Sequence, residues 1–139
     1  MTVENINKAK RSDLVKILVV DDSDLSRRTI VNILEKEGFN VVGQASSAEQ
    51  GIQQAFTTGA NVFLLDVVMP EVSGLELATH IKENVKEPHI IMMSTLDLES
   101  VVIESISTGA TDFLTKPFQE EDLIKSIEKV EYEIVKEAS

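Results

Sequence analysis

Apolar residues in this chain follow two patterns that alternate along its length. Five short runs, Ile17–Val20, Val41–Val42, Val62–Leu65, Ile90–Met93 and Phe113–Leu114, are rich in β-branched side chains and bounded by polar residues. They are too short for helices and have the propensity of strands. Most are apolar at consecutive rather than alternating positions, which predicts strands covered on both faces and hence a parallel sheet. The second run, flanked by Asn40 and Gln44, is the most polar and is placed at a sheet edge.

Between the runs the apolar spacing changes to that of helices. Asp24–Glu37 carries Leu25, Ile30, Ile33 and Leu34 on one face and stops at Gly38, a suitable residue just past a helix end. Ser47–Thr58 opens on Ser47-Ala-Glu-Gln50, the spacing of a capping box, with Ala48, Ile52, Ala55 and Phe56 as its apolar face. Gly74–Asn84 offers Leu75, Leu77, Ala78 and Ile81. Leu98–Thr108 follows Asp97, a suitable N-cap, and ends before Gly109. On a helical wheel Leu98, Val102 and Ile106 define its buried side, with Ile103 well off it. The last helix begins near Glu120, has acids in its first turn, and repeats Leu123, Ile127, Val130 and Ile134 at 4-3-4 spacing. That spacing suits packing on a sheet, a short coiled-coil seam for a dimer, or a stub leading to an output domain.

Strands alternating with helices imply right-handed βαβ crossovers and a doubly wound α/β sheet of five strands and five helices. Residues 1–14 are polar and aperiodic and read as a flexible, mildly basic leader (Lys8, Lys10, Arg11), with one domain over 15–139. In such sheets ligands bind at the carboxyl ends of the strands, so chemistry is sought just beyond each run.

Composition narrows the chemistry. The 139 residues carry a net charge of −11, contain no cysteine and no tryptophan, and are 4% aromatic. An acidic, aromatic-poor chain lacks the basic face and stacking platforms of a nucleic-acid binder. Without cysteine there are no disulfides, thiolate metal sites or thiol nucleophiles. No run approaches membrane-spanning length, and the polar start has no signal-peptide apolar core. A cytoplasmic domain without nucleic-acid or membrane partners is expected.

The strand ends then supply Asp21 and Asp22, Asp66, Ser94 with Thr95, and Lys116 with Pro117. Carboxylates about 5 Å apart at an effective dielectric of about 20 repel by roughly 3 kcal/mol per pair, so three together cost about 10 kcal/mol. Lys116 offsets part of this; a divalent cation offsets more, and oxygen-only ligands favour Mg²⁺. Asp66, alone after the most apolar run, is the candidate nucleophile for a phosphoryl group. The metal, Lys116 and the Ser94 hydroxyl are placed to stabilise charge on the phosphoryl oxygens.

The stretches ILVVDDSDLSRRTI (17–30), LLDVVMPEVSGLEL (64–77), IIMMSTL (90–96) and GATDFLTKPF (109–118) resemble the receiver domain of two-component response regulators, especially the stand-alone chemotaxis-type regulators. The resemblance covers about residues 16–131 and extends to the spacings Asp22 to Asp66, Asp66 to Ser94 and Ser94 to Lys116. It implies a flavodoxin-like sheet of order 2-1-3-4-5. It implies that Asp66 accepts phosphate from a sensor histidine kinase or a histidine phosphotransfer protein, with no separate substrate turned over. Mg²⁺ would be ligated by Asp22, Asp66 and the backbone carbonyl of Val68, with Asp21 acting through water. Ser94 would follow the phosphoryl group, Lys116 would pair with it, and the bond to Pro117 would be cis. Phe113 would be the switch aromatic, signalling to a downstream protein on the face formed by the fourth helix, fifth strand and fifth helix. A monomer or weak dimer is expected.

The sequence departs from the family's pattern at four places. Phe113 lacks the hydroxyl of a tyrosine. Val68 and Leu96 stand where many relatives carry polar side chains, and neither can orient an attacking water, so self-dephosphorylation is expected to be slow. Thr95 is bulkier than the usual small residue and narrows access for small phosphodonors. His80 and His89 read as surface or edge residues, and Met69, Met92 and Met93 as packing.

Other classes fit less well. A haloacid-dehalogenase-type phosphatase wants a second acid two residues after its nucleophile, where Val68 stands. No glycine pattern matches dinucleotide or Walker phosphate loops. A degenerate receiver that only docks would not need every phosphorylation residue. The few residues after Lys136 leave no room for an output module, although a receiver cut from a larger regulator remains an alternative.

Overall fold

Strands β1 (Lys16–Val20), β2 (Asn40–Ala45), β3 (Val62–Asp66), β4 (His89–Ser94) and β5 (Asp112–Thr115) alternate with helices α1 (Asp24–Lys36), α2 (Ala48–Thr57), α3 (Gly74–Asn84), α4 (Glu99–Ser107) and α5 (Glu120–Glu137). The structure is a computed structural model and describes residues 11–96 and 98–139. The strands are all parallel and ordered β2-β1-β3-β4-β5. The polar second run is therefore an edge, as its composition predicts.

The consecutive apolar residues of the central strands serve two cores in turn. Ile17, Val19, Val62, Leu64, Ile91 and Met93 point to the face covered by α1 and α5, where they meet Ile30, Leu34, Leu123, Ile127 and Val130. Leu18, Val20, Phe63, Leu65, Ile90 and Met92 point to the other face, against Ala48, Ala55, Leu77, Ala78 and Ile81 of α2 and α3. Burial of both faces is what a run without alternation requires. All five residues of β3 are buried, whereas the edge strands β2 and β5 are mostly half-exposed.

Local signals explain most boundaries. Ser23, Ser47 and Ser73 cap α1, α2 and α3 by accepting the amides of Ser26, Gln50 and Glu76. The expected capping box at Ser47 is half formed. Gln50 Oε1 passes the cap residue and accepts the Ser46 amide at 3.0 Å instead. Gly38 takes φ 86° after α1, the left-handed turn that glycine makes cheaply. Asp97, expected to cap α4, lies outside the described residues; α4 itself starts after Leu98 with no side-chain cap.

Sequence expectations are revised on three helices: Leu25 of α1 and Phe56 of α2, placed on apolar faces, are 78% and 58% exposed, and α4 is turned. The buried side of α4 is not Leu98, Val102 and Ile106: Leu98 is 59% and Ile106 58% exposed, with Ile103 at 55%. Val101 and Ser105 face the sheet instead, and Ser105 is wholly buried. Its hydroxyl donates to Val101 O at 2.8 Å, so a small polar residue is buried with its hydrogen bond met. The wheel weighs hydrophobicity alone, whereas α4 lies beside the edge strand β5 and has an uncovered flank on which apolar residues remain. Of the uses open to the 4-3-4 seam of α5, packing on the sheet is the one the fold takes, since Leu123, Ile127, Val130 and Ile134 all pack in the first core.

Of the leader, residues 1–10 lie outside the described residues. Arg11 sits 4.4 Å over the Phe39 ring, donates to Glu37 O at 3.1 Å and pairs with Glu128 at 2.9 Å, while the Ser12 amide donates to Glu131. The chain just before β1 is thereby tied to the end of α1 and the middle of α5.

Substitutions in α4 check its orientation. Ile103→Gln and Ile106→Gln should each change unfolding free energy by less than about 0.5 kcal/mol, whereas Ser105→Leu should cost about 2 kcal/mol by overpacking. Urea denaturation of the three variants measures this.

Candidate functional site

Strand register delivers the acids to one point. Val20 of β1 lies opposite Leu65 of β3, so the next residue on each strand, Asp21 and Asp66, stand side by side. The Asp21 amide donates to Ala45 O at 3.0 Å, which extends the β1–β2 ladder one step and holds Asp21 at the core edge. Asp21 is wholly buried, Asp66 is 8% exposed and Asp22 is open to solvent. Lys116 follows β5, its amide fixed to Ser94 O at 2.8 Å. Its side chain crosses the end of β4 to reach Asp21 Oδ2 at 2.7 Å and Asp66 Oδ2 at 3.3 Å. The Lys116–Pro117 peptide bond is cis.

The loop after β3 is folded tightly against the nucleophile candidate. Val67 N donates to Met93 O, and Gly74 N donates back to Val67 O, each at 2.8 Å. A side chain at Gly74 would collide with the backbone carbonyl of Asp66, so only glycine starts α3 this close. Val68 N donates to Asp66 Oδ1 at 3.2 Å, while Val68 is 52% and Leu96 43% exposed.

The two buried carboxylates have opposite character. Burial pushes Asp66 up, the nearby Lys116 charge pulls it down and the Asp21 charge pushes it up again, to about 6. Burial acts on Asp21 in the same sense. Hydrogen bonds from Lys116, Ser26 and Ser23 outweigh it and hold Asp21 below the ordinary carboxylate value. Asp21 is therefore a committed anion with its oxygens occupied, and Asp66 an anion held at a cost.

Carboxylate oxygens of Asp21, Asp22 and Asp66 lie within 4.8 Å of one another. Three hard oxygen donors at that spacing, with no sulfur or imidazole, fit a hard divalent cation such as Mg²⁺. Asp22, solvent-exposed and without a hydrogen bond to its carboxylate among the described residues, is free to bind one.

The other sequence candidates surround this centre. Ser94 ends β4, one strand from Asp66, fully buried; its Oγ accepts the Leu96 amide at 2.9 Å. Phe113 is half-buried on β5 against the second core. Thr95 is exposed. His80 lies exposed on α3, and His89 begins β4 at the opposite end of the sheet, 3.9 Å from Glu137. Two residues escaped the strand-end reading. Ser26 Oγ donates to Asp21 Oδ2 at 2.6 Å, and Arg27 donates to Asp21 O at 2.7 Å and pairs with Asp24 at 2.6 Å. Both lie in the first turns of α1. Their signal was spacing, since a helix begun at Ser23 turns positions three and four residues on back toward the preceding strand end.

Comparison with known proteins agrees with this geometry. A family model for the response regulator receiver domain matches residues 17–128. The chain is 36% identical over 114 residues to chemotaxis protein CheY of Bacillus subtilis, covering 82% of this chain and 95% of that protein. It is 33% identical over 109 residues to transcriptional regulatory protein SrrA of Staphylococcus aureus, covering 78% of this chain and 44% of SrrA. Among solved structures, a CheY-like receiver from Methanospirillum hungatei superposes with TM-score 0.83 at 27% identity, over 90% of this chain and 99% of that one. The CheX–CheY–BeF3–Mg²⁺ complex from Borrelia burgdorferi superposes with TM-score 0.76 at 27% identity, over 84% and 88%.

The raised Asp66 carboxyl makes stability depend on pH. Its proton is held more tightly folded than unfolded, so its contribution falls as pH rises from 3.8 to about 6. Asp66→Asn removes this cost. In metal-free buffer near neutral pH the variant should be more stable than wild type by about 2 kcal/mol, the gap closing toward pH 4. Urea denaturation across that range checks it.

Proposed function

The chain belongs to the response regulator receiver domain family, and from that premise we propose that Asp66 is its phosphoacceptor, with Mg²⁺ as cofactor and phosphohistidine as donor. The observation that carries this reading is the costly anion at Asp66, set between two further carboxylates and an ammonium group. Receivers are phosphoaccepting signalling modules, and on this reading the chain turns over no separate substrate.

The residues divide the work as follows. An Asp66 carboxylate oxygen bonds to phosphorus as the phosphorus–nitrogen bond of the donor breaks and the imidazole leaves with the electron pair. Asp22, Asp66 and the Val68 carbonyl would hold Mg²⁺. Asp21, whose oxygens already accept from Ser23, Ser26 and Lys116, would act on it through water. Mg²⁺, when bound, supplies positive charge to the transferring phosphoryl oxygens. Lys116 supplies a second positive charge. The Ser94 hydroxyl accepts from Leu96 and has no acceptor for its own proton among the described residues, which leaves that proton for a phosphoryl oxygen. Movement of Ser94 toward the phosphate, followed by Phe113, carries the signal to the face of α4, β5 and α5. The exposed Leu98, Ile103 and Ile106 of α4 support a protein partner there. The donor is a sensor histidine kinase or a histidine phosphotransfer protein. The solved Borrelia complex contains Mg²⁺ and a CheX–CheY pairing, which supports both the cation and the protein partner. No helix among the described residues is long and apolar enough to cross a membrane; a cytoplasmic location is part of this reading.

Intact-mass measurement tests it. With Mg²⁺ and phosphoramidate or a phosphorylated kinase, one phosphoryl adduct should form, and it should vanish with chelator or in Asp66→Asn. Absence of the adduct with both donors, or its survival in Asp66→Asn, contradicts the assignment. Once formed, the adduct should last minutes or longer, because neither Val68 nor Leu96 can orient an attacking water. Val68→Asn should shorten its half-life at least about three-fold.

A further inference from the structure

We propose that Ser26 is a positioning residue for phosphoryl transfer, an alternate donor that lets Lys116 leave Asp21 for the phosphoryl group on Asp66. The inference rests on Asp66 being the phosphoacceptor. Its physical basis is the way donors are shared at Asp21. The carboxylate is wholly buried, and Oδ1 accepts the Ser23 amide at 2.9 Å. Oδ2 accepts two donors, Ser26 Oγ at 2.6 Å and Lys116 Nζ at 2.7 Å. The same ammonium group is 3.3 Å from Asp66 Oδ2. At rest, then, Lys116 is held more closely by Asp21 than by the residue that reacts.

Transfer reverses that demand. As the Asp66 oxygen–phosphorus bond forms and the donor's phosphorus–nitrogen bond breaks, the phosphoryl oxygens bring further negative charge beside Asp66. Lys116 is drawn to them. Were it the sole donor to Asp21 Oδ2, its departure would leave a buried anionic oxygen unpaired, a penalty that opposes the transfer. Ser26 removes the penalty because its hydroxyl stays on that oxygen. The backbone makes the hydroxyl dependable: Ser26 N is tied to the Ser23 cap at 3.2 Å, and Arg27 anchors the Asp21 carbonyl at 2.7 Å. Ser26 Oγ makes no other hydrogen bond among the described residues, so the side chain serves this contact.

The test follows adduct formation on the full chain by intact mass, with phosphoramidate as donor at saturating Mg²⁺. In that reaction nitrogen leaves phosphorus as neutral ammonia, carrying the protons it already holds in the zwitterion. Ser26→Ala should slow adduct formation at least about five-fold, and Ser26→Thr, which keeps the hydroxyl, should restore it to within about two-fold of wild type. In a Lys116→Met background the Ser26→Ala penalty on rate should disappear, because no ammonium remains to be released. An unchanged rate in Ser26→Ala, or an equal penalty with and without Lys116, overturns the proposal, the latter by showing a purely structural role. If Ser26→Ala does not fold, Ser26→Cys replaces it, with slowing expected from the weaker donor and a wild-type rate overturning the idea. Failure of wild type to form any adduct would instead count against the phosphoacceptor assignment.

Discussion

One ammonium group serves two buried carboxylates, and the rest of the site is arranged around that shortage. Lys116 Nζ reaches Asp21 and Asp66 together, with Asp22 adding a third negative charge at the mouth. In water such a cluster would be weakly repulsive; at the edge of a packed core the repulsion is large. Asp21 escapes the cost through its hydrogen bonds, so the excess falls on Asp66. A site built this way favours binding a cation and accepting an electrophile, because each relieves what the fold imposes.

The sheet makes the arrangement obligatory. Parallel register sets Asp21 beside Asp66, and the pairing of Ser94 with Thr115 sets Lys116 one residue beyond it on β5. Displacing any of these residues means slipping a strand whose alternate side chains are divided between two cores. Gly74 adds a local constraint, bringing the start of α3 against the Asp66 carbonyl. The energy that holds the acids together thus comes from Val19, Leu64, Phe63 and their neighbours, far more than from any attraction within the site.

What could be read from the chain alone follows the same division. Consecutive apolar residues in β1, β3 and β4 disclosed a sheet covered on both sides, and strand ends disclosed Asp21, Asp22, Asp66, Ser94 and Lys116, because period and position are one-dimensional properties. Contacts across space were less accessible. The orientation of α4 turned on an uncovered edge beside β5, which no wheel contains. Leu123, Ile127, Val130 and Ile134 fit a dimer seam as well as a core until α5 was seen lying on the sheet. Ser26 and Arg27 lie past the strand end, in the first turn of α1, and reach Asp21 only because that turn faces back toward it. Arg11 looked like part of a solvated tail, yet it bridges Phe39, Glu37 and Glu128 across more than a hundred residues of sequence.

The central claim is that Asp21, Asp22 and Asp66 form a repulsive oxygen cluster that a divalent cation relieves. Thermal unfolding of chelator-treated protein during Mg²⁺ titration tests it most directly. The melting temperature should rise with Mg²⁺, by several degrees at about 100-fold excess over the dissociation constant, where linkage predicts about 2.7 kcal/mol. Asp22→Ala, which removes the exposed ligand without disturbing the core, should flatten the rise. A melting temperature indifferent to Mg²⁺, or an equal rise in Asp22→Ala, would contradict the account.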